Sequence, residues 1–512
     1  MNDGCMPGNS GRLAPPGGGA GAAARRAVEV EGESSTEGES MHCHVGVRHW
    51  NATTLVAGRS CAIVATFAAL VGLSLLVAGA DVARAQAPDS AAGGARDEAR
   101  ATGLPKKVTW TFNFDAGAGM FGFANSLYTN PKPDPSGDLS DNWAESFVKP
   151  AISGNFPMKK GELYGKISAV GERTFMAPPP LVGSEASSFQ AEDLSLGWRS
   201  GKSVGSTENA LDFTIGRAPY KIGHLFLLSD GAAEGGSRGG YWSNARKAWK
   251  FAGVGRFKVK HSTLEGFYLE RDEIKGSETG TKVSGANYEL AVGEASTFGA
   301  SYLKVNAHKD VMPQRDGMNV YDARAFTAPL RKLPALAFEL EYAREDNGDL
   351  VSAQGWTAQA AYELTKRGWS PKLSYRYAAF GGDDPTTTKS EAFDPLLPGF
   401  YDWGTWWQGE IGGEYFLSNS DLVSHQVRLH LKPSEALGTG LIGYVFKLDQ
   451  QPAGVTSKDI ASEVDAYADW KVNGNFLVSF VAAFAHPQKF AEEAFNRKDD
   501  FKYGMIYVAY SY

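Results

Sequence analysis

From Lys107 to its end, the chain repeats one pattern. Segments of about ten residues alternate apolar and polar side chains, and stretches rich in Gly, Asp, Pro and Ser separate them. A period of two places successive side chains on opposite faces of a strand. Val108, Trp110, Phe112 and Phe114 share one face against Thr109, Thr111, Asn113 and Asp115. Leu336, Phe338, Leu340 and Tyr342 oppose Glu339 and Glu341, and Leu373, Tyr375 and Tyr377 oppose Lys372, Ser374 and Arg376. Val423, His425, Val427, Leu429 and Leu431 oppose Gln426, Arg428, His430 and Lys432. No segment of comparable length fits the helical period better, so the chain is all-β.

Such alternation suits a soluble sandwich, whose apolar face packs a core, and equally a membrane barrel, whose apolar face meets lipid. Three features favour the barrel. The strand count, about 18 or 19, is too high for one sandwich, and a barrel with both ends on one side of a membrane needs an even number, hence 18. The apolar run from Cys61 to Ala80 follows Arg48 and Arg59 and precedes Ala83-Arg84-Ala85, as expected of a secretory signal peptide over 59–85 cleaved after Ala85. Cys5, Cys43 and Cys61 all precede that point, which leaves no cysteine for a disulfide, a metal or a nucleophile in an exported chain. Residues 1–58 read as disorder or an over-extended start, 86–106 as a flexible segment, and 107–512 as the barrel.

The final segment, Phe501–Tyr512, fits the same architecture. Ile506, Val508, Tyr510 and Tyr512 form one face, expected toward lipid, with the strand pairing to the first one near Trp110. A terminal aromatic there resembles the address by which outer-membrane proteins engage the barrel-assembly machinery. Long connections (126–142, 177–188, 218–246, 307–315, 381–404) alternate with short ones, as extracellular loops alternate with periplasmic turns. After Gly404 the alternation slips, which implies a wrong late strand or a long loop on the periplasmic side.

Enzymatic chemistry finds no support. Gly-x-Ser-x-Gly, a phosphate-binding loop and His-Glu-x-x-His are all absent, and the histidines beyond residue 85 stand singly. No cofactor or metal is expected. Residues 1–85 hold 6 of the 51 Lys and Arg and 7 of the 58 Asp and Glu, so the remainder carries a net charge of −6, which disfavours a nucleic-acid partner.

A wet lumen selects by width and by the charges that line it. The inward parity holds Lys166, Arg199, Lys258, Lys372, Arg376, Arg428, Lys432 and Lys447. It also holds Asp193, Glu289, Glu339, Glu341, Glu363, Glu410, Glu414, Asp465 and Asp469. Mutual neutralisation accounts for many of these. The cluster of Lys372, Arg376, Arg428 and Lys432 is the sharper feature, because cationic side chains suit carboxylate ligands.

Several blocks resemble the alginate-export porin family: Ile215-Gly-Arg-Ala-Pro-Tyr-Lys-Ile-Gly-His-Leu-Phe226, Gly235 to Trp249, Tyr375 to Pro385, Glu391 to Pro395 and Trp403 to Phe416. The resemblance implies an 18-stranded outer-membrane barrel with an electropositive conduit for an anionic polysaccharide, and it marks Arg217, Arg238, Arg246 and Arg376 as candidate pore arginines. The expected partners are outer-membrane lipid and an acidic polysaccharide or small anionic solute. A general or nutrient-specific diffusion porin of the same architecture is the alternative, and a non-conducting scaffold or adhesin a third reading.

Overall fold

The computed structural model describes residues 107–125, 141–176, 185–229, 231–232, 235–330, 333, 335–364, 368–405 and 407–512. The expected leader over 59–85 and the segments flanking it lie outside the described residues. Eighteen strands form one closed, wholly antiparallel barrel. They are β1 (Thr109–Ala124), β2 (Asp141–Pro157), β3 (Glu162–Phe175), β4 (Ser187–Arg199), β5 (Leu211–Ala218), β6 (Trp249–Val259), β7 (Ser262–Glu270), β8 (Lys282–Val292) and β9 (Ser296–Asn306). The second half comprises β10 (Asn319–Thr327), β11 (Leu336–Asp346), β12 (Ser352–Glu363), β13 (Lys372–Phe380), β14 (Leu422–Ser434), β15 (Leu437–Lys447), β16 (Asp459–Lys471), β17 (Phe476–Pro487) and β18 (Phe501–Ser511). Each strand pairs with its chain neighbours, and β1 pairs with β18 to close the ring.

Closure matters because an open edge of unpaired backbone groups is not tolerated in lipid. The seam lies higher than the sequence suggests. Phe114 and Tyr512 exchange both backbone hydrogen bonds at 3.0 Å, so pairing starts at Phe114, and Trp110 extends below the end of β18. Trp110 packs edge-on against Phe156 at 5.1 Å.

The outer face carries an apolar belt. Ile152, Ile167, Leu196, Phe213, Leu264, Leu340, Leu441, Phe480 and Ile506 all stand exposed on outward positions. Exposed aliphatic and aromatic side chains around a whole circumference fit a hydrocarbon surround. No described helix is long and apolar enough to cross a membrane, which says nothing of the strands. Tyr510 shares the outward parity of Ile506 but is nearly covered, because Phe476 (4.8 Å) and Phe114 (6.3 Å) lie over its ring.

The two rims differ. One carries the connections 125–140, 176–186, 219–248, 271–281, 307–318, 347–351, 381–421, 448–458 and 488–500. The other carries the shorter turns 158–161, 200–210, 260–261, 293–295, 328–335, 364–371, 435–436 and 472–475, together with both barrel ends. The slip expected after Gly404 therefore vanishes. Residues 409–416 form a π-helical segment inside the 381–421 connection, not a strand, so Glu410 and Glu414 ride on a loop. Two glycines at its centre and Gly409 at φ 90° defeat an extended reading of an otherwise aromatic and acidic stretch. Lys447 also departs from its expected inward place. It shares the outward parity of the exposed Leu441 and Val445, against the inward Ile442, Tyr444 and Phe446, and its amine meets Asp459 at 2.9 Å.

Candidate functional site: a lumen filled from one end

The connections 219–248 and 381–421 turn into the barrel and join there. Leu397 donates its backbone N–H to Leu227, Ser229 donates to Leu397, and Gly399 donates to Leu225, at 2.8–3.0 Å. This short parallel ladder makes one body of the two loops. Phe226, Leu228, Phe393, Leu396 and Leu397 from it pack on Val283, Leu303, Val320 and Phe380 of the wall, all buried.

A second apolar mass fills the opposite side. Phe121 stacks on Trp143 at 5.0 Å, Trp242 meets Phe121 and Tyr507 at 5.2 and 5.1 Å, and Tyr415 packs against Phe501 and Tyr503 at 6.0 and 5.7 Å. Inward aromatics therefore occupy β1, β2 and β18, where the sequence reading expects a mostly polar lining. On β1 alternation hides them because both faces are apolar at the long-loop end, with Phe121 and Phe123 inward and Met120 and Ala124 on the other parity.

Strand carboxylates hold the loop backbones in place. Glu145 accepts from the N–H groups of Trp242 and Ser243 and from the Trp143 indole, at 2.9–3.0 Å. Glu172 accepts from the Ala245 N–H at 2.8 Å, and Glu192 from the Lys247 and Ala248 N–H groups at 2.6 and 3.0 Å. Glu345 accepts from Asp394, Glu463 from both Ile411 and Gly412, and Asp465 from Glu410. A buried amide costs free energy unless paired, and a carboxylate is a strong acceptor for it. These acids thus satisfy loop donors that no sheet ladder reaches. Their only sequence signal is an acidic residue at an inward position within a few residues of a long connection.

The candidate arginines divide by environment. Arg217, Arg238 and Arg246 converge on one oxygen of Asp272, at 2.6, 3.0 and 2.5 Å. Burial pushes the Asp272 carboxyl up, but the hydrogen bond from Arg217 and the charges of Arg238 and Arg217 hold it below the ordinary carboxylate range. Asp272 is itself tied to the loop, donating its N–H to Gly231 at 2.7 Å. These three arginines, far apart in sequence, therefore staple the 219–248 connection to the barrel.

Arg376 is fully buried and donates to the Gly404 carbonyl at 3.2 Å; Gln426 and Tyr444 donate to the same oxygen at 3.2 and 2.8 Å. Gly404 sits at φ 61°, and a Cβ there would meet the Tyr444 hydroxyl at 1.7 Å, so only glycine brings that carbonyl to its three donors. Arg428 pairs with Asp402 and donates to the Tyr467 hydroxyl at 2.6 and 3.0 Å. Lys166 pairs with Asp193 at 3.2 Å, and Arg199 with Glu162. Lys432 sits at the short-turn rim with Glu435, 2.7 Å away, and Lys372 lies across from Glu363 in register. The four basic residues of β13 and β14 thus occupy one wall but do not converge on one point.

Below the joined loops, His224 forms the contact of both with the wall. Its ring stacks on Phe326 at 3.7 Å and on Tyr401 at 4.5 Å. Glu339 meets His224 at 3.4 Å and accepts from the Tyr401 hydroxyl at 2.7 Å. From this node to the short-turn rim the inward side chains are mostly half-exposed or exposed, and a cavity of about 340 Å³ opens beside Phe326, Thr297 and Glu339. Among the described residues no group of three or more His, Cys, Asp or Glu could hold a metal ion.

No protein-family profile matches the chain, and no curated protein sequence does. Solved structures do match. OccAB2 of Acinetobacter baumannii is 13% identical, with a TM-score of 0.52, and the match covers 78% of this chain and 98% of that one. OccK5 (OpdH) of Pseudomonas aeruginosa is 10% identical at TM-score 0.51, covering 80% and 99%. OccK2 (OpdF) of the same organism is 12% identical at TM-score 0.51, covering 78% and 97%. At such identities the likeness is one of fold, a closed 18-stranded barrel.

Proposed function

We propose that the protein is an outer-membrane channel through which small solutes diffuse passively, with the long-loop rim extracellular and the short-turn rim periplasmic. The observation that carries this reading is the lower lumen. Its charged and hydroxylated side chains face water inside a closed barrel with an apolar outer belt, an arrangement a scaffold does not need. The joined loops above it narrow the passage and make solute size the first filter.

Export of an anionic polysaccharide has less support. A polymer requires a continuous basic track, whereas Arg217, Arg238 and Arg246 are engaged with Asp272 and Arg376 with a loop carbonyl. On this reading the leader over 59–85 delivers the chain to the periplasm, and β18 serves as the assembly address. Liposome swelling with a size series of uncharged sugars tests the proposal. Entry of small sugars with a sharp upper size limit is expected; no entry of any solute would refute it.

A further inference from the structure

On the outer face near the long-loop rim, some cations have an acid beside them and some do not. Lys447 on β15 meets Asp459 at 2.9 Å, and His486 on β17 meets Asp500 at 2.7 Å. Lys304 on β9 and Arg344 on β11 differ. Among the described residues their hydrogen-bond partners are uncharged. Lys304 donates to the Gly317 carbonyl at 2.5 Å and to the Asn319 amide oxygen at 3.3 Å, and Arg344 donates to the Ser352 hydroxyl at 3.0 Å.

The register brings the two together. Tyr302, Tyr321, Arg344 and Gln354 stand opposite one another across β9, β10, β11 and β12. Lys304, Asn319, Asp346 and Ser352 form the next row toward the long loops. Two strand spacings and one step along the strand put Lys304 and Arg344 about 12 Å apart at the backbone. A lysine and an arginine side chain can close that gap around one phosphate. Tyr321, 52% exposed, lies between them.

The height of this cluster is set by the rings around it. Tyr302 and Tyr321 lie 5.5 Å apart, Trp356 and Tyr377 5.0 Å, and Tyr377 and His425 5.1 Å, so aromatic side chains run from β9 to β14. Such a belt marks the level where hydrocarbon gives way to lipid headgroups. Below it, Ala300, Ala323 and Leu340 are exposed on the same face. Asp346 offsets one of the two charges, and Lys282 on β8 stands opposite Glu270 in register, so the cluster stays net positive.

We infer that this sector of the outer face, from β9 to β12, is a binding site for a lipid whose head carries a phosphate. Arg344 and Lys304 take the phosphate oxygens, Tyr302 and Tyr321 flank the head, and the acyl chains lie along Ala300, Ala323 and Leu340. A guanidinium and an ammonium bind phosphate more strongly than they bind the neutral oxygens they now hold. The hydrocarbon level directly below makes a lipid the occupant. The site is on the outside of the wall, so it stands apart from the channel reading.

Native mass spectrometry of the intact protein in a neutral maltoside detergent tests this. The titrants are dioleoyl phosphatidic acid and dioleoylglycerol, which lacks only the phosphate. The first phosphatidic acid should bind about tenfold more tightly than the first dioleoylglycerol. Each charge removed should weaken it about fivefold, so Lys304→Gln combined with Arg344→Gln should cost about twenty-five-fold. Lys447→Gln, which removes a lysine already paired with Asp459, should change the affinity little. Should the double variant fail to fold, Arg344→Gln alone should show the fivefold loss. Equal binding of the two lipids, or an unchanged affinity in the Arg344 variants, would overturn the site. A loss in Lys447→Gln as large as in Arg344→Gln would also overturn it, by showing that outer-face charge attracts the lipid without a place for it.

Discussion

The two halves of the barrel interior are built from the same strands and obey different rules. Toward the long-loop rim, inward positions carry Trp143, Phe121, Val283, Leu303 and Phe380, packed by loop side chains to near-zero exposure. The acids among them, such as Glu145, Glu192 and Glu463, bond loop amides. Toward the short-turn rim, inward positions carry Lys166, Arg199, Glu289 and Lys372, and water reaches them. An inward carboxylate is thus a structural clamp in one half and part of the solute's surroundings in the other. Sign and parity alone do not distinguish the two uses; the distance to an inserted loop does.

The contrast is broken most severely at Asp272. Asp272→Ala leaves three guanidinium groups close together without their shared carboxylate, and loss of one member of a buried ion pair costs about 3–5 kcal/mol. The 219–248 connection should detach, seen as new protease cleavage within it and a larger conductance, while the barrel itself stays folded.

The next largest effect compares inside with outside. Trp143→Ala removes a side chain with no exposed surface that contacts Phe121, Phe123 and Tyr415, and should lower barrel stability by about 3–5 kcal/mol. Phe480→Ala, on the outer belt of β17, should lose less, about 1.5–3 kcal/mol, because acyl chains refill the truncated site and only the transfer of the ring out of water is forfeited. Unfolding titrations of the two variants in matched micelles check the difference.

The smallest effect is pH dependence at the π-helical segment. Burial, with the charges of Asp465 and Asp469, pushes the Glu410 carboxyl up to about 8. Released from the wall, it returns toward the ordinary 4.5, so the docked segment binds more protons between these values. Docking is therefore firmest below about pH 4.5, weakens as pH rises, and levels off above about pH 8. Proteolysis within 409–416 should increase over that window, and Glu410→Gln should flatten the profile.

These regions also mark how far the sequence could be read. The barrel was legible because lipid outside and water inside impose a strict period of two, visible from Trp110 to Tyr512. The loop-filled half was not, for two reasons. Inward aromatics such as Phe121 and Tyr503 break the polar side of the alternation, and the π-helical turn at Gly409–Phe416 mimics a strand in composition. Of the candidate residues, Arg217, Arg238 and Arg246 are bound to Asp272, and Arg376 to the Gly404 carbonyl. Their shared partner Asp272 could not be found from spacing, because the contact joins segments 26 to 55 residues apart.

The central claim is that an open lower lumen is capped by two loops that act as one. Single-channel recording of a variant with residues 382–420 replaced by a short Gly-Ser linker tests it most directly. The intact protein should give small, stable current steps. The variant should give steps several times larger, because the ladder to Leu225–Ser229, the His224–Tyr401 contact and the π-helical segment are removed together. Steps of unchanged size from a correctly inserted variant would contradict the account.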